Sequence, residues 1–124
     1  MTFYDYIDDD LPYPVIPIQL STIDDPGLKH TKYALVDSGG EISCIPSSIV
    51  AELGLTPRGN EPVLGVNGVE DLEFYEINLE VNGIPFNNHL VYKYVDLQYL
   101  LIGRDIINRF HICLDGINEK TEIR

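Results

Sequence analysis

One segment of this sequence places a carboxylate directly after an apolar run. Residues 34–36 are apolar, Asp37 follows them, and Ser38, Gly39 and Gly40 come next. Glycines let the backbone fold tightly beneath a carboxylate, so that amide N–H groups can donate hydrogen bonds to it. A carboxylate held in this way can act as a general acid or base. The same tetrapeptide is also typical of an ordinary turn after a strand, so a second signal is needed.

A second unit of the same kind lies further along the chain. Residues 100–102 are apolar, Gly103 follows them, and Arg104 and Asp105 begin a segment with helical spacing. Each unit predicts a buried strand that runs into a glycine. The pair is far more specific than either unit alone.

Together the two units resemble motifs of the retropepsin-like aspartic proteases, which are single-domain relatives of pepsin. The apolar-apolar-Asp-Ser/Thr-Gly loop of that family is matched by residues 35–39, and its apolar-apolar-Gly-Arg-Asp/Asn segment by residues 101–105. Its glycine-rich flap hairpin is similar to residues 63–68. The resemblance covers roughly residues 13–115, in the family's order.

The resemblance implies catalytic roles for three residues. In that mechanism two carboxylates about 3 Å apart share one proton and activate a water for attack on a peptide carbonyl. Asp37 would supply one carboxylate, Ser38 would hydrogen-bond across a dimer to the opposite loop, and Gly39 would let the backbone approach the substrate. Only one Asp-Ser/Thr-Gly occurs in the chain, so the resemblance implies a two-fold homodimer with Asp37 from each subunit and an inactive monomer.

The resemblance also implies a substrate-binding set. It comprises a loop residue and a flap tip that closes over the substrate, namely Gly40, Gly65, Val66, Asn67 and Gly68. Val66 and Ile84 are expected as pocket walls. A plain surface turn is the alternative for residues 65–68.

Two positions depart from the family's pattern. Gly40 stands where the family usually has Ala, which should loosen the loop without removing a functional group. Glu41 stands where retroviral members often have Asp, and we predict that it forms an ion pair with Arg104 that supports the loop. A solvated Glu41 without a partner is the alternative.

The function implied is an aspartic endopeptidase that cleaves extended polypeptides and needs no cofactor. Activity should fall as rising pH removes the proton shared by the two carboxylates. Two alternatives stay open: a non-catalytic dimerisation or peptide-binding module of the same fold, and a β-barrel carrier of a small apolar ligand.

The surrounding elements predict a mostly-β domain with seven or more short strands and two short helices. Residues 13–21 predict a strand that Pro14 and Pro17 place at a sheet edge, and residues 76–81 alternate polar with apolar. Asn82-Gly83 predicts a type I′ hairpin turn. With the resemblance, this indicates a closed, β-barrel-like retropepsin fold in which the chain ends could pair across the dimer.

Loops and helices follow from the remaining patterns. Residues 57–62 predict a loop, residues 46–53 a helix that opens with Pro46-Ser47-Ser48 and ends at Gly54, and residues 104–110 a second helix. An acidic leader is expected over residues 1–12, followed by one domain over residues 13–124.

Composition excludes several partners. The chain has 124 residues with 8 basic and 20 acidic side chains, a formal net charge of −12. This charge disfavours nucleic acid and anionic membrane surfaces as partners. The acidic start is unlike a signal peptide, and no apolar run approaches the ~18 residues that span a bilayer. A cytoplasmic protein is therefore expected.

Other chemistries lack a supporting pattern. Cys44 and Cys113 lie among apolar residues and are predicted to be buried free thiols. The three histidines, His30, His89 and His111, show no metal-ligand spacing, so no metal site is expected. No serine lies in a Gly-x-Ser-x-Gly motif, and the glycines at 65 and 68 do not form a phosphate loop.

Overall fold

The computed structural model describes residues 1–65, 68–94 and 97–124. Within these ranges the chain forms ten strands and two short helices. In chain order they are β1 (Thr2–Asp5), β2 (Val15–Ser21), β3 (His30–Val36), β4 (Cys44–Pro46), α1 (Ser47–Leu53), β5 (Gly59–Gly65), β6 (Gly68–Val81), β7 (Ile84–Tyr94), β8 (Leu100–Ile102), α2 (Arg104–Ile107), β9 (Ile112–Asp115) and β10 (Lys120–Ile123).

Six strands close into a mixed barrel. Their order is β2-β3-β8-β4-β7-β6, and pairing between β2 and β6 closes the ring. The β3–β8 and β4–β7 pairs are parallel, whereas β5 extends the sheet from β6 as an antiparallel hairpin. The predicted mostly-β, closed barrel-like architecture is confirmed.

Strand β6 shows why the alternating pattern predicts the core. Tyr75, Ile77, Leu79 and Val81 are buried, while the residues between them are partly exposed. This is the period of two expected of a strand with one face on the core. The turn that follows has positive φ at Asn82 and Gly83 (49° and 81°), as the predicted type I′ turn requires.

The prolines of β2 do not mark an outer edge, contrary to the prediction. Pro14 precedes the strand, and pairing with β6 begins only at Ile18, one residue after Pro17. Both prolines thus lie outside the stretch that pairs with β6, so β2 accommodates them and still sits between β3 and β6 in the barrel.

The helices follow the prediction with one difference. Helix α1 ends at Gly54, which adopts φ 62° and ψ 38°, the left-handed conformation that glycine favours. Helix α2 is shorter than predicted, because the amides of Arg109 and Phe110 bond three residues back, to Ile106 and Ile107. Such bonds are typical of a tightened final turn.

The predicted loop over residues 57–62 is wrong beyond its first two residues, because β5 begins at Gly59 and pairs with β6 along its whole length. Pro62 lies opposite Asp71 in this pairing. Strand β5 lies at the end of the sheet order, with β6 on one side and a free edge on the other. A proline has no amide N–H to donate, and an edge strand tolerates this loss.

A separate three-stranded sheet joins the two ends of the chain, in the order β1-β10-β9. Residues 2–5 of the acidic leader pair with residues 120–123. Because β10 has a partner strand on each side, residues 121–123 have no free edge to pair across a dimer. The edge strands of this sheet are β1 and β9.

The two cysteines differ in burial. Cys44 is buried and Cys113 is exposed, and both are free thiols. The prediction that Cys113 is buried is wrong, because it lies on edge strand β9 rather than in the barrel. Among the described helices, none is long and apolar enough to cross a membrane.

Candidate active site

The loop that carries Asp37 leaves the barrel where β3 and β8 run side by side. Val36 pairs with Ile102, and the Asp37 amide donates to the Ile102 carbonyl over 3.0 Å. The loop then returns to the barrel through β4, which also pairs with β8. The two units singled out in the sequence are therefore adjacent in the fold.

Backbone contacts fasten the two units together. The Arg104 amide donates to the Gly40 carbonyl over 2.8 Å. A Cβ atom at Gly103 would lie 2.6 Å from the Ile42 carbonyl oxygen and 2.9 Å from that of Gly40. Glycine at position 103 is thus required by the close approach of another backbone segment, as its place in the motif indicates.

Arg104 supports the loop chiefly through the backbone. Its Nη1 donates to the Ser38 carbonyl oxygen over 3.0 Å. The predicted contact with Glu41 is longer, with 3.8 Å between Arg104 Nη2 and Glu41 Oε1, and the Glu41 side chain is 85% exposed. An ion pair this exposed contributes little to stability, so the hydrogen bond to Ser38 is the stronger constraint.

The Asp37 carboxylate lies in a cleft and is less enclosed than predicted. Among the described residues no amide donates to its oxygens, and the Gly40 amide donates to the Asp37 carbonyl instead, over 3.2 Å. A Cβ atom at Gly40 would lie 2.8 Å from Asp37 Oδ2. In this arrangement an alanine would force the carboxylate to rotate, so the glycine does more than loosen the loop. Ser38 is exposed beside it.

The cleft has a volume of about 740 Å³. It is lined by the Asp37 loop, by the first residue of α2 and by residues 61–65 of β5. The lining residues are Asp37, Gly39, Gly40, Glu41, Ile42, Cys44, Glu61, Pro62, Val63, Leu64, Gly65, Tyr94, Leu101 and Arg104. Of the predicted substrate-binding set, Gly40 and Gly65 therefore line the cleft.

The remaining members of that set lie elsewhere. Gly68 faces Gly65 at the end of the β5–β6 hairpin, with φ 98°. Val66 and Asn67 lie outside the described residues. Ile84 is not a pocket wall, because it sits beside the Asn82-Gly83 turn at the other end of β6.

The β5–β6 hairpin is attached at its base and exposed at its end. The Tyr92 hydroxyl on β7 donates to Glu61 Oε1 on β5 over 2.5 Å. Burial, and next to it the Glu61 carboxylate, raises the pKa of Tyr92 to about 12, so the phenol stays protonated. Near the end of the hairpin the cross-strand pair Leu64 and Val69 is 79% and 68% exposed. Of this pair, Leu64 also lines the cleft.

A polar cluster behind the loop was missed by the sequence analysis. Asp105 Oδ1 accepts from Ser43 Oγ (2.8 Å), and its Oδ2 accepts from the Ser43 amide (3.1 Å) and lies 2.8 Å from His89 Nε2. Ser43 Oγ also accepts from the Gly103 amide over 3.1 Å. Burial raises the pKa of Asp105, but the hydrogen bonds from His89 and Ser43 outweigh it, and the net pKa is lowered.

The sequence pointed to one member of this cluster, Asp105, and not to His89. Asp105 belongs to the matched motif, so its position was visible although no role was assigned to it. Nothing in the sequence links His89 to the loop, because the contact joins β7 to α2 and leaves no local pattern. Within the described ranges, no three His, Cys, Asp or Glu side chains are grouped to hold a metal ion.

Fold and site together define the class of structure to which this chain belongs. A closed mixed barrel with an Asp-Ser-Gly loop beside a Gly-Arg-Asp helix start is the retropepsin-like fold, and comparison with solved structures agrees. EIAV protease complexed with the inhibitor HBY-793 is similar to the chain with a TM-score of 0.62 at 16% identity, covering 83% of this chain and 93% of the other. Simian foamy virus (mac) protease is similar with a TM-score of 0.52 at 17% identity, covering 75% and 92%. No protein-family model matches the sequence, and no curated protein matches it.

Proposed function

We propose that this protein is an aspartic endopeptidase whose active site forms on the two-fold axis of a homodimer. One observation carries the proposal: Asp37 lines a large cleft at the point where the Asp-Ser-Gly loop meets the Gly-Arg-Asp segment. The retropepsin-like fold supports it, since the two solved structures compared above are proteases.

The chemistry requires a second carboxylate. The chain holds one Asp-Ser-Gly loop, and a second Asp37 is available only from a second copy of the chain. Two-fold symmetry would place both loops on the axis. The exposed Ser38 is free to hydrogen-bond to the opposite loop, and the edge strands β1 and β9 are available for pairing between subunits.

The catalytic cycle follows from sharing one proton between the two Asp37 side chains. The ionised carboxylate takes a proton from a water, which attacks the carbonyl carbon, while the protonated carboxyl donates its proton to the carbonyl oxygen. The carboxyl group that took the water proton then gives it to the nitrogen of the leaving group, the other carboxylate takes a proton from one hydroxyl of the resulting diol, and the C–N bond breaks. The two carboxyl groups then again hold one proton between them.

The cleft favours an extended polypeptide as substrate. A substrate in β conformation can hydrogen-bond to backbone groups of the surrounding strands. The β5–β6 hairpin, whose described strands end at the facing pair Gly65 and Gly68, acts as a flap that covers the substrate and excludes water. Gly40 and its neighbours form the opposite side of the binding site.

The direct test is cleavage of an unbiased peptide mixture, read by mass spectrometry between about pH 4 and pH 8. Wild type is compared with Asp37→Asn, and Asp10→Asn in the exposed leader serves as the matched control for loss of one carboxylate. We expect cuts by wild type and Asp10→Asn and none by Asp37→Asn. Equal cutting by all three proteins would overturn the assignment, whereas peptide binding without any cutting would favour the non-catalytic module.

A further inference from the structure

His89 occupies a position that neither the barrel core nor the cleft explains. It lies on β7, opposite Ile77 of β6, and its side chain is only 20% exposed. The Phe86 ring meets the imidazole edge-on at 5.8 Å between centroids. This contact limits the orientation of the ring and leaves Nε2 2.8 Å from Asp105 Oδ2.

The contact with His89 completes the set of hydrogen bonds around Asp105. A half-buried carboxylate needs donors to offset its lost hydration. Ser43 supplies two donors, its amide and its hydroxyl, and His89 supplies the third. Without His89, the Oδ2 atom would keep only the longer of its two contacts, the 3.1 Å bond from the Ser43 amide.

From Asp105 the network reaches the catalytic loop by a short path. Ser43 is 2% exposed and fully engaged: it donates its amide and hydroxyl to Asp105, and its Oγ accepts from the Gly103 amide. Its carbonyl accepts from the Tyr92 amide over 3.1 Å. Ser43 is the last residue of the loop that begins at Asp37. Because Ser43 is hydrogen-bonded to both Asp105 and Gly103, a movement of Asp105 also disturbs the contact between the loop and Gly103.

We infer that His89 is a positioning residue for the catalytic loop and acts through Asp105 and Ser43. It touches neither the cleft nor Asp37, yet it fixes the carboxylate that fastens the loop to Gly103. The inference rests on the proposed function, since positioning matters to catalysis only if Asp37 is catalytic. A displacement of a reacting group by about 1 Å can lower a rate about a hundredfold.

Two uncharged substitutions isolate the hydrogen bond. In His89→Gln the side-chain nitrogen can reach the place of Nε2, while in His89→Asn the amide is one bond too short. We expect His89→Asn to lower kcat at least about tenfold with KM changed less than about twofold, and His89→Gln to retain kcat within about threefold. His111→Asn, at an exposed histidine, is the control. In an Asp105→Leu background, His89→Asn should have no further effect.

Hydrogen exchange makes the test independent of turnover. Protection of the Ser43 and Gly103 amides, measured by NMR, should fall at least about tenfold in His89→Asn and stay near wild type in His89→Gln. If wild type cleaves nothing, the proposed function fails, while the exchange data still decide whether His89 orders the loop. Unchanged kcat and unchanged protection in His89→Asn would overturn the inference, as would equal losses in both variants.

Discussion

Gly103 is the residue that most directly joins the two motifs. A Cβ atom there would lie 2.6 Å from the Ile42 oxygen, and this neighbour is backbone, which cannot rotate away. We predict that Gly103→Ala lowers the free energy of unfolding by about 1–3 kcal/mol, as overpacking of a tight site does. Urea unfolding measures this change.

Gly116 is the matched control for this prediction, since a Cβ atom there would meet no other atom within 4 Å. Gly116→Ala should leave the unfolding midpoint almost unchanged. A Gly103→Ala variant as stable as Gly116→Ala would show that the loop is not held against Gly103 as described.

Asp105 makes stability depend on pH. Its pKa is lowered in the folded chain because the hydrogen bonds from His89 and Ser43 outweigh burial. A lowered folded-state pKa contributes stability above the ordinary range of an aspartate, and that contribution is lost as pH falls through the lowered value. We predict that Asp105→Ala costs about 2 kcal/mol at pH 7 and less near pH 3.

Urea unfolding of wild type and Asp105→Ala at both pH values tests this prediction. Asp24→Ala, at an exposed turn, controls for the general effect of removing a carboxylate. A difference from wild type that grows toward low pH would contradict the assigned direction.

The position of Asp37 was predictable because its neighbours are fixed by backbone geometry. Asp37 follows strand β3, in which Ala34 is buried. A Cβ atom would lie 2.8 Å from Asp37 Oδ2 at Gly40 and 2.6 Å from the Ile42 carbonyl oxygen at Gly103, so both positions favour glycine. His89 was not predictable, because its role depends on a contact across 16 residues that leaves no local pattern. Sequence reasoning thus identifies the residues of the loop and misses the side chains that support it from behind.

At the level of elements, two features were predictable: strands whose apolar and polar residues alternate, and turns that require positive φ angles. The β6 alternation and the Asn82-Gly83 turn are examples. Strand β5 was not, since its exposed and intermediate residues show no alternation and it contains Pro62. Residues 59–65 form a strand because each of them pairs with a residue of β6. This pairing exists only once the hairpin has formed.

Strand β10 contains a buried threonine hydroxyl, that of Thr121. Thr121 is fully buried, and its Oγ1 has no hydrogen-bond partner among the described residues. Replacing it with the similarly shaped Val removes the desolvated hydroxyl, so Thr121→Val should raise the free energy of unfolding by about 1 kcal/mol. Chemical denaturation measures the change.

Thr31 on β3 offers the comparison, because it is an exposed strand threonine. Thr31→Val should change stability by less than about 0.5 kcal/mol. Destabilisation by Thr121→Val would show that the hydroxyl has a hydrogen-bond partner in the folded protein.

At the scale of the whole molecule, net charge opposes the proposed dimer. Each chain carries a formal charge of −12, and like charges repel most strongly at low ionic strength. We predict that the dissociation constant of the dimer falls as salt rises from about 0.01 M to 0.15 M, where the screening length shortens from about 30 Å to 8 Å. Mild acidification should act in the same direction.

Sedimentation equilibrium at several salt concentrations and pH values measures this constant. A monomer under all conditions would contradict both the electrostatic account and the shared active site. Tighter association at low salt would show instead that attractive ion pairs dominate the interface.

The central claim is that each active site needs Asp37 from two subunits, and subunit mixing tests it most directly. Wild type is held at a fixed concentration and mixed with increasing Asp37→Asn protein, with Asp10→Asn added in a parallel series, and peptide cleavage is followed. With random pairing at equal amounts, only about a quarter of the dimers carry two intact aspartates, so cleavage should fall to about half and approach zero as Asp37→Asn is added in excess. Cleavage that stays constant as Asp37→Asn increases would show that one chain suffices for catalysis and would contradict the account.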